Sequence, residues 1–160
     1  TQPTAAETIA LARDLQLIAE TGVQAHIGRI SCAESVRLIE RAKNEGLNIT
    51  CDVAITHLIW NEAMIEGYDY RYRLQPVLRS ANDQAALIAG VASGVIDAVC
   101  SDHTPHPLAE KRLPFAQAAC GTETLELLRQ GLQDLVASGA ISELRACQAI
   151  STAPAQILKL

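Results

Sequence analysis

Short β-like runs alternate with longer helical runs along this chain of 160 residues, and this alternation constrains the fold most. Residues 5–21 carry apolar side chains at helical spacing and end at Gly22, and VQAHI (23–27) is then short enough for a strand. LNITCDV (47–53) is rich in β-branched residues, and VIDAVC (95–100) is the clearest buried strand. Strands that alternate with helices build a parallel sheet, so the pattern predicts an α/β protein.

Capping residues predict where several helices begin. Ser31 and Glu34 form a capping-box pattern that opens a helix ending at Gly46. Ser80 and Asp83 form the same pattern for a second helix. The remaining predicted elements are a strand at 70–74, a long loop at 101–120 and three helices, at 122–137, 142–149 and 154–160.

Length and composition favour one globular domain covering residues 1–160, since 49% of the residues are hydrophobic and can form a core. A net charge of −5 without a long basic run disfavours nucleic acid as a partner. No apolar stretch approaches the ~20 residues that span a bilayer, and the first residues lack a signal-peptide layout, so we expect a cytoplasmic protein that does not bind membranes. The five cysteines include no CxxC pair and are predicted to be small buried residues in a reducing compartment.

Polar residues stand at or just after the ends of three predicted strands. These groups are residues 26–29, the pair 56–57, and CSDHTPH at 100–106. Because the carboxyl ends of parallel strands meet at one edge of a barrel-type α/β sheet, we expect the three groups to converge. A further stretch, YDYRYR (68–73), could bind a ligand through rings and guanidiniums, but its alternation favours a half-exposed strand.

The acid and the histidines of these groups have more than one interpretation. Asp102 beside His103 and His106 could bind a divalent metal and accept a proton from a metal-bound water, as in a hydrolase. Alternatively, Asp102 caps the turn after its strand. His26 lies inside an apolar strand and is predicted to be a packed, hydrogen-bonded core residue, whereas His57 is either a loop histidine or a site residue.

The chain resembles the C-terminal half of the bacterial-type dihydroorotases, members of the amidohydrolase superfamily, over nearly its whole length. Five stretches carry the resemblance, in order: ARDLQLIAETGVQAHIGRIS, SCAESVRLIERAKNEGLNITCDV, YDYRYRLQPVLRS, VIDAVCSDHTPHPLAEKRLPF and STAPAQILKL. The resemblance implies the C-terminal part of a (β/α)8 TIM-type barrel, with about four parallel strands and flanking helices. It also implies a zinc-dependent interconversion of carbamoyl-aspartate and dihydroorotate in pyrimidine biosynthesis.

Some family positions are retained in this sequence. By resemblance, Asp102 matches the last-strand aspartate that binds metal and acts as general base, and His106 matches a histidine that contacts substrate. Gly121 falls near a backbone group that also meets substrate. Gln75 stands where the family has an asparagine that reads the substrate ring.

Two metal-ligand positions depart from the family. Arg29 stands where the family has a metal-binding histidine, and Thr56 stands at a second such position, beside His57. A guanidinium has no lone pair for a cation and stays protonated, so Arg29 is expected to pair with Asp102 or another carboxylate. The hydroxyl of Thr56 is a poor replacement for imidazole. The family's other ligands lie outside these 160 residues, so we expect the zinc to be absent.

Three functional hypotheses follow. The first is a non-catalytic dihydroorotase-like protein that serves as a structural partner of aspartate transcarbamoylase or associates with itself. The second is an active zinc dihydroorotase in which His57 replaces a lost ligand and an N-terminal half supplies the others. The third is a small-anion binder in which Arg29 replaces the charge of the metal. A half barrel exposes apolar surface at a cost of ~25 cal/mol per Å², so another chain or the other half is expected to cover it.

Overall fold

The computed structural model describes residues 2–160 and contains a three-stranded parallel sheet. The strands are β1 (Ala25–Ile27), β2 (Ile49–Ala54) and β3 (Ala98–Cys100), with β2 in the centre. β1 and β3 each pair with β2 in parallel. The predicted α/β class and parallel sheet are therefore confirmed, but the described residues form three strands rather than about four.

Helices precede, connect and follow the strands. Within residues 2–160 there are eight α-helices: α1 (Thr4–Thr21), α2 (Ala33–Asn44), α3 (Ile55–Ile59), α4 (Ala81–Ser93), α5 (Leu108–Lys111), α6 (Leu125–Ala137), α7 (Glu143–Ile150) and α8 (Thr152–Leu158). Two short 3-10 helices, Glu62–Ile65 and Tyr70–Tyr72, lie between α3 and α4. None of the helices in this described part has the length and apolar character needed to cross a membrane.

The tyrosine-rich segment is not a strand, so the strand predicted at 70–74 is wrong. Residues 70–72 form a 3-10 helix instead. The Asp69 carboxylate accepts a hydrogen bond from the backbone N–H of Arg71 at 2.9 Å. This local side-chain bond offers the backbone a turn in place of a sheet ladder and overrides the alternation of Tyr and Arg.

The two predicted capping boxes have different outcomes. Ser80 and Asp83 form a capping box at α4, as predicted. The box predicted at Ser31 and Glu34 is wrong, because α2 is preceded by Cys32 without a side-chain cap. The hydroxyl of Ser31 instead donates to the carboxylate of Glu7 on α1.

The two faces of the sheet have opposite character. Ile49, Cys51 and Val53 of β2 are at most 5% exposed and belong to the hydrophobic core under the helices. Thr50 and Asp52 alternate with them and are half-buried on the opposite side, which we call the inner face. The inner face therefore carries polar side chains and positions the candidate site.

The cysteines are all free, and their burial varies. Cys32 and Cys51 are buried, as predicted, and Cys100 and Cys120 are half-buried. Cys147 is exposed on α7, so the prediction that the cysteines are buried is wrong for this residue.

Candidate functional site

An ion pair lies at the carboxyl end of the sheet, between the ends of β1 and β3. Nη1 of Arg29 donates to Oδ1 of Asp102 at 2.9 Å, and it lies 3.5 Å from the backbone oxygen of Gln75. The two charged side chains are 49% and 23% exposed. The expected pairing of Arg29 with a carboxylate is observed, with Asp102 as its partner.

Both residues of this ion pair have left-handed backbone conformations. The φ angle is 55° at Arg29 and 49° at Asp102. A residue with a Cβ pays about 1–2 kcal/mol for this conformation, and such strain is found where the surrounding structure over-determines it, often at functional sites. The strained backbones thus mark the ends of β1 and β3 as a candidate functional site.

Asp52 of β2 holds the backbone of Arg29 in place. Its Oδ1 accepts from the backbone N–H of Arg29 at 2.8 Å, and its Oδ2 lies 2.9 Å from Nε2 of His26. Because an ionised carboxylate only accepts hydrogen bonds, Nε2 of His26 carries the hydrogen. Nδ1 of His26 lies 2.8 Å from the hydroxyl of Thr50. Asp52, Thr50 and His26 therefore form one network beneath the ion pair.

The prediction for His26 is partly wrong, and sequence reasoning missed Asp52. His26 is hydrogen-bonded as predicted, but its side chain is 31% exposed on the inner face rather than packed in the core. The register places His26 opposite Thr50, which brings it within reach of Asp52 two residues further along the same face. The sequence signal for Asp52 was its alternation with apolar residues in a strand rich in β-branched side chains, which places its carboxylate on the face opposite the core.

Cys100 also contacts this network through a neutral thiol. Its Sγ donates to Oδ1 of Asp52 at 3.5 Å. Burial, and next the negative charge of Asp52, raise the pKa of Cys100 to about 12. At neutral pH this group is neither a nucleophile nor a thiolate ligand.

Thr56 and His57 lie on α3, buried and bonded to each other. Their residues are only 2% and 3% exposed. Nε2 of His57 donates to the backbone oxygen of Val77 at 3.2 Å, so Nδ1 is the acceptor for the Thr56 hydroxyl, also at 3.2 Å. Burial lowers the pKa of His57. Since both ring nitrogens are occupied, the structure favours a packed histidine over a ligand.

The residues predicted to contact substrate are already bonded within the chain. Nε2 of His106 donates to the backbone oxygen of Cys120 at 2.9 Å. The N–H of Gly121 donates to the backbone oxygen of Arg73 at 2.9 Å, and its oxygen accepts from Nζ of Lys111 at 2.7 Å.

Close packing explains the glycine at position 121. Its φ angle is 127°, and a Cβ there would lie 2.6 Å from the backbone oxygen of Thr104. Only glycine fits this backbone and this space. The loop that carries His106 is therefore fixed by contacts of its own.

The structure brings together only part of the predicted site. Arg29 contacts Asp102 and the backbone oxygen of Gln75, whereas no hydrogen bond or ion pair within residues 2–160 joins Thr56 or His106 to these residues. The side chain of Gln75 donates to Oε1 of Gln2 at 3.2 Å.

The donor set of this site does not fit a zinc ion. Within the described part of the chain, no three His, Cys, Asp or Glu side chains are placed to hold a metal. Arg29 has no lone pair to give, and the lone pair on Nδ1 of His57 accepts from the hydroxyl of Thr56. The residues of this chain therefore do not assemble a zinc site by themselves.

The chain is similar in sequence to curated dihydroorotases and dihydroorotase-like proteins. It is 38% identical over 158 residues to a dihydroorotase-like protein of Pseudomonas aeruginosa, covering 99% of this chain and 37% of that protein. It is 40% identical over 158 residues to a dihydroorotase of Pelotomaculum thermopropionicum, covering 98% of this chain and 37% of that protein. The chain thus spans a little over a third of the length of these relatives. No model of a known family matches the chain.

Solved structures of hydantoinases and dihydropyrimidinases share the fold. A dihydropyrimidinase from Brevibacillus agri superposes with a TM-score of 0.90 at 28% identity, over 96% of this chain and 35% of that one. An L-hydantoinase from Arthrobacter aurescens gives a TM-score of 0.89 at 26% identity, over 99% of this chain and 36% of that one. The sheet and helices therefore have the arrangement of part of an amidohydrolase barrel.

Proposed function

Because the chain is a homologue of dihydroorotases and dihydroorotase-like proteins over nearly its whole length, we propose that it is the C-terminal part of a dihydroorotase-like barrel that has lost its metal and its catalysis. The protein keeps a structural role in pyrimidine biosynthesis. The ion pair between Arg29 and Asp102 is the observation that carries this proposal.

The chemistry of the ion pair supports loss of the metal. Asp102, which by resemblance would bind metal, accepts a hydrogen bond from the guanidinium of Arg29 at its Oδ1. The guanidinium stays protonated and has no lone pair, so it repels a divalent cation and cannot bind one. Arg29 thus supplies the positive charge that a metal would bring and excludes the metal itself.

The charges of the site also weigh against the anion-binding hypothesis. The guanidinium of Arg29 is already paired with the carboxylate of Asp102, whereas Asp52 accepts from the backbone N–H of Arg29. A small anion would therefore have to compete with Asp102 for this guanidinium. Likewise, His57 could become a zinc ligand only by giving up a buried hydrogen bond.

The structural role we propose is association with aspartate transcarbamoylase. In the described residues, β1 and β3 each pair only with β2, so each has one unpaired edge. Backbone groups at sheet edges are costly to leave uncovered. The rest of the barrel and a partner enzyme of the same pathway would provide this cover.

Metal analysis and an activity assay on the full-length protein test the loss of catalysis. We expect less than one zinc per chain after growth with zinc, and no conversion of dihydroorotate to carbamoyl-aspartate. The double variant Arg29→His, Thr56→His is expected to bind more zinc than the wild type. Stoichiometric zinc together with turnover that Asp102→Asn abolishes would show that the protein is an active dihydroorotase.

Gel filtration of the full-length protein with aspartate transcarbamoylase tests the structural role. We expect the two proteins to elute together, earlier than either one alone. Independent elution would remove the partnership while leaving the loss of catalysis standing. Calorimetry with dihydroorotate tests the anion-binding hypothesis. A heat of binding that saturates with dihydroorotate concentration would support that hypothesis.

A further inference from the structure

A cavity of about 570 Å³ lies beside the tyrosine-rich segment, and no residue of the Arg29–Asp102 pair lines it. We call it the tyrosine cavity. Its volume is within the range of ligand sites in proteins, which are mostly apolar with a few placed polar groups. Its lining comprises three aromatic rings, four aliphatic side chains, two arginines and two carboxylates, among other residues: Tyr68, Tyr72, Phe115, Ile65, Leu74, Val77, Leu78, Arg73, Arg79, Glu62 and Asp83.

The aromatic walls of this cavity are held in place by edge contacts. The ring of Tyr72 meets Trp60 edge-on, with centroids 4.9 Å apart. Tyr68 and Phe115 meet at 5.8 Å with an interplanar angle of 67°. Edge-to-face pairs stabilise the positions of the rings. Contacts with neighbouring rings therefore hold the aromatic side chains that line the cavity.

One of the two arginines that line the cavity, Arg79, already has hydrogen-bond and ion-pair partners within the protein. Arg79 is 8% exposed, and its Nε donates to the hydroxyl of Ser31 at 3.1 Å. Its Nη2 lies 3.7 Å from the carboxylate of Glu7. Arg79 thus forms part of the wall rather than a free recognition group.

Arg73 is the arginine with unused donors. Its Nε donates to the backbone oxygen of Ala118, and its guanidinium lies 5.9 Å from the centre of the Phe115 ring. Among residues 2–160 it forms no ion pair, and its terminal nitrogens make no hydrogen bond. A planar guanidinium with free terminal donors matches a carboxylate.

We propose that the tyrosine cavity binds a small planar aromatic carboxylate with a single negative charge. The carboxylate pairs with Arg73, and the ring lies against Phe115 and Tyr72. Glu62 and Asp83 also line the cavity and repel an anion with two charges more strongly than one with a single charge, which favours a carboxylate over phosphate. This inference does not depend on whether the barrel is catalytic.

Titration of the full-length protein with benzoate tests the proposal, by calorimetry and by the fluorescence of Trp60. We expect saturable binding with a dissociation constant on the order of 1 mM or tighter. Phenyl phosphate, with the same ring and a second charge, is expected to bind about tenfold more weakly.

Two arginine variants provide a matched pair. Arg73→Gln removes the unpaired guanidinium and is expected to weaken benzoate binding by about tenfold or more. Arg71→Gln is the control, since Arg71 is 65% exposed, pairs with Asp69 and does not line the cavity. This control should leave the affinity within about twofold. Phe115→Leu, which removes a ring and keeps the charge of Arg73, is expected to weaken binding about threefold or more.

Absence of saturable benzoate binding to the wild type would overturn the proposal. An equal loss in the Arg71→Gln and Arg73→Gln variants would also overturn it, because the effect would then be one of general charge. If Arg73→Gln fails to fold, Phe115→Leu decides: unchanged benzoate affinity in that variant contradicts the proposed site.

Discussion

The guanidinium of Arg29 lies 2.9 Å from the carboxylate of Asp102, and this ion pair joins the ends of the two outer strands across β2. Both residues adopt left-handed backbones, which glycine adopts without cost. Asp52 of the central strand accepts a hydrogen bond from the backbone N–H of Arg29, so residues of all three strands or their ends hold the ion pair in place. An arginine in this position serves as the internal counter-ion of the strand ends.

The left-handed backbone at Arg29 predicts an unusual order of stabilities. Arg29→Gly and Arg29→Ala both remove the ion pair, but only glycine relieves the strain at a φ of 55°. We expect Arg29→Gly to be more stable than Arg29→Ala by about 1 kcal/mol in urea unfolding. Arg41 lies within helix α2 and is the control, because there Gly should be less stable than Ala by about 1 kcal/mol. If the Ala variant were the more stable one at both positions, the backbone of Arg29 would not be strained.

Glu7 is expected to be the most sensitive polar residue of helix α1. Its carboxylate accepts from the N–H of Ser31 at 2.8 Å and from the hydroxyl of Ser35 at 2.6 Å, and it lies near Arg79. Glu7→Ala leaves these donors and the buried arginine without their partner, so we expect a loss of about 3 kcal/mol of unfolding free energy. Glu20→Ala, at an exposed position of the same helix, should stay within about 0.5 kcal/mol. Similar losses in both variants would show that Glu7 does not fasten α1 to α2.

The order and class of most elements could be predicted because their signals are local. Ser80 and Asp83 stand three residues apart and cap α4 without help from other elements. The same pattern fails at Ser31, because its hydroxyl binds Glu7, 24 residues away in sequence. Tertiary partners of this kind are invisible to a pattern of neighbouring residues.

The candidate site could be predicted in part for a similar reason. Because a guanidinium is always charged, the sequence predicted that Arg29 pairs with a carboxylate. The ends of β1 and β3 lie close together, so Asp102 is that carboxylate. The link between His26 and Asp52 depends on the register of two strands, which the sequence alone does not give. The tyrosine cavity was missed because its segment was expected to be a strand.

A buried hydroxyl without a partner predicts a stabilising substitution. Within residues 2–160, Oγ1 of Thr124 is the only buried side-chain nitrogen or oxygen that lacks a hydrogen-bond partner. Thr124→Val removes this hydroxyl at nearly constant volume, so we expect the free energy of unfolding to stay equal or rise by about 1 kcal/mol. Thr56→Val is the control and should lose about 1 kcal/mol or more, because the Thr56 hydroxyl is bonded to His57. A clear loss in Thr124→Val would reveal an ordered water or another chain at this position.

The buried imidazole of His57 predicts a pH dependence of stability. Burial lowers the pKa of His57 below its ordinary value of 6.5, so the folded protein keeps this ring neutral while the unfolded chain takes up a proton. Stability is therefore lost as the pH falls below about 6.5, at up to about 1.4 kcal/mol per pH unit. We expect His57→Asn to lack this part of the slope between about pH 6.5 and 5. Above about pH 7.5 the difference in unfolding free energy between His57→Asn and the wild type should be constant. Urea unfolding of the two proteins across this pH range measures the slope and the difference.

The cysteines are expected to react in the order of their exposure and thiolate content. Burial raises the pKa of both Cys51 and Cys100 to about 12, so neither forms appreciable thiolate at pH 8. Cys147 is exposed on α7 and should be alkylated first by iodoacetamide. Peptide mass spectrometry over a time course gives the rate at each cysteine, with the urea-unfolded protein as the reference in which all five react. Labelling of Cys100 as fast as Cys147 in the folded protein would mean that the inner face is open and that Asp52 does not hold this thiol neutral.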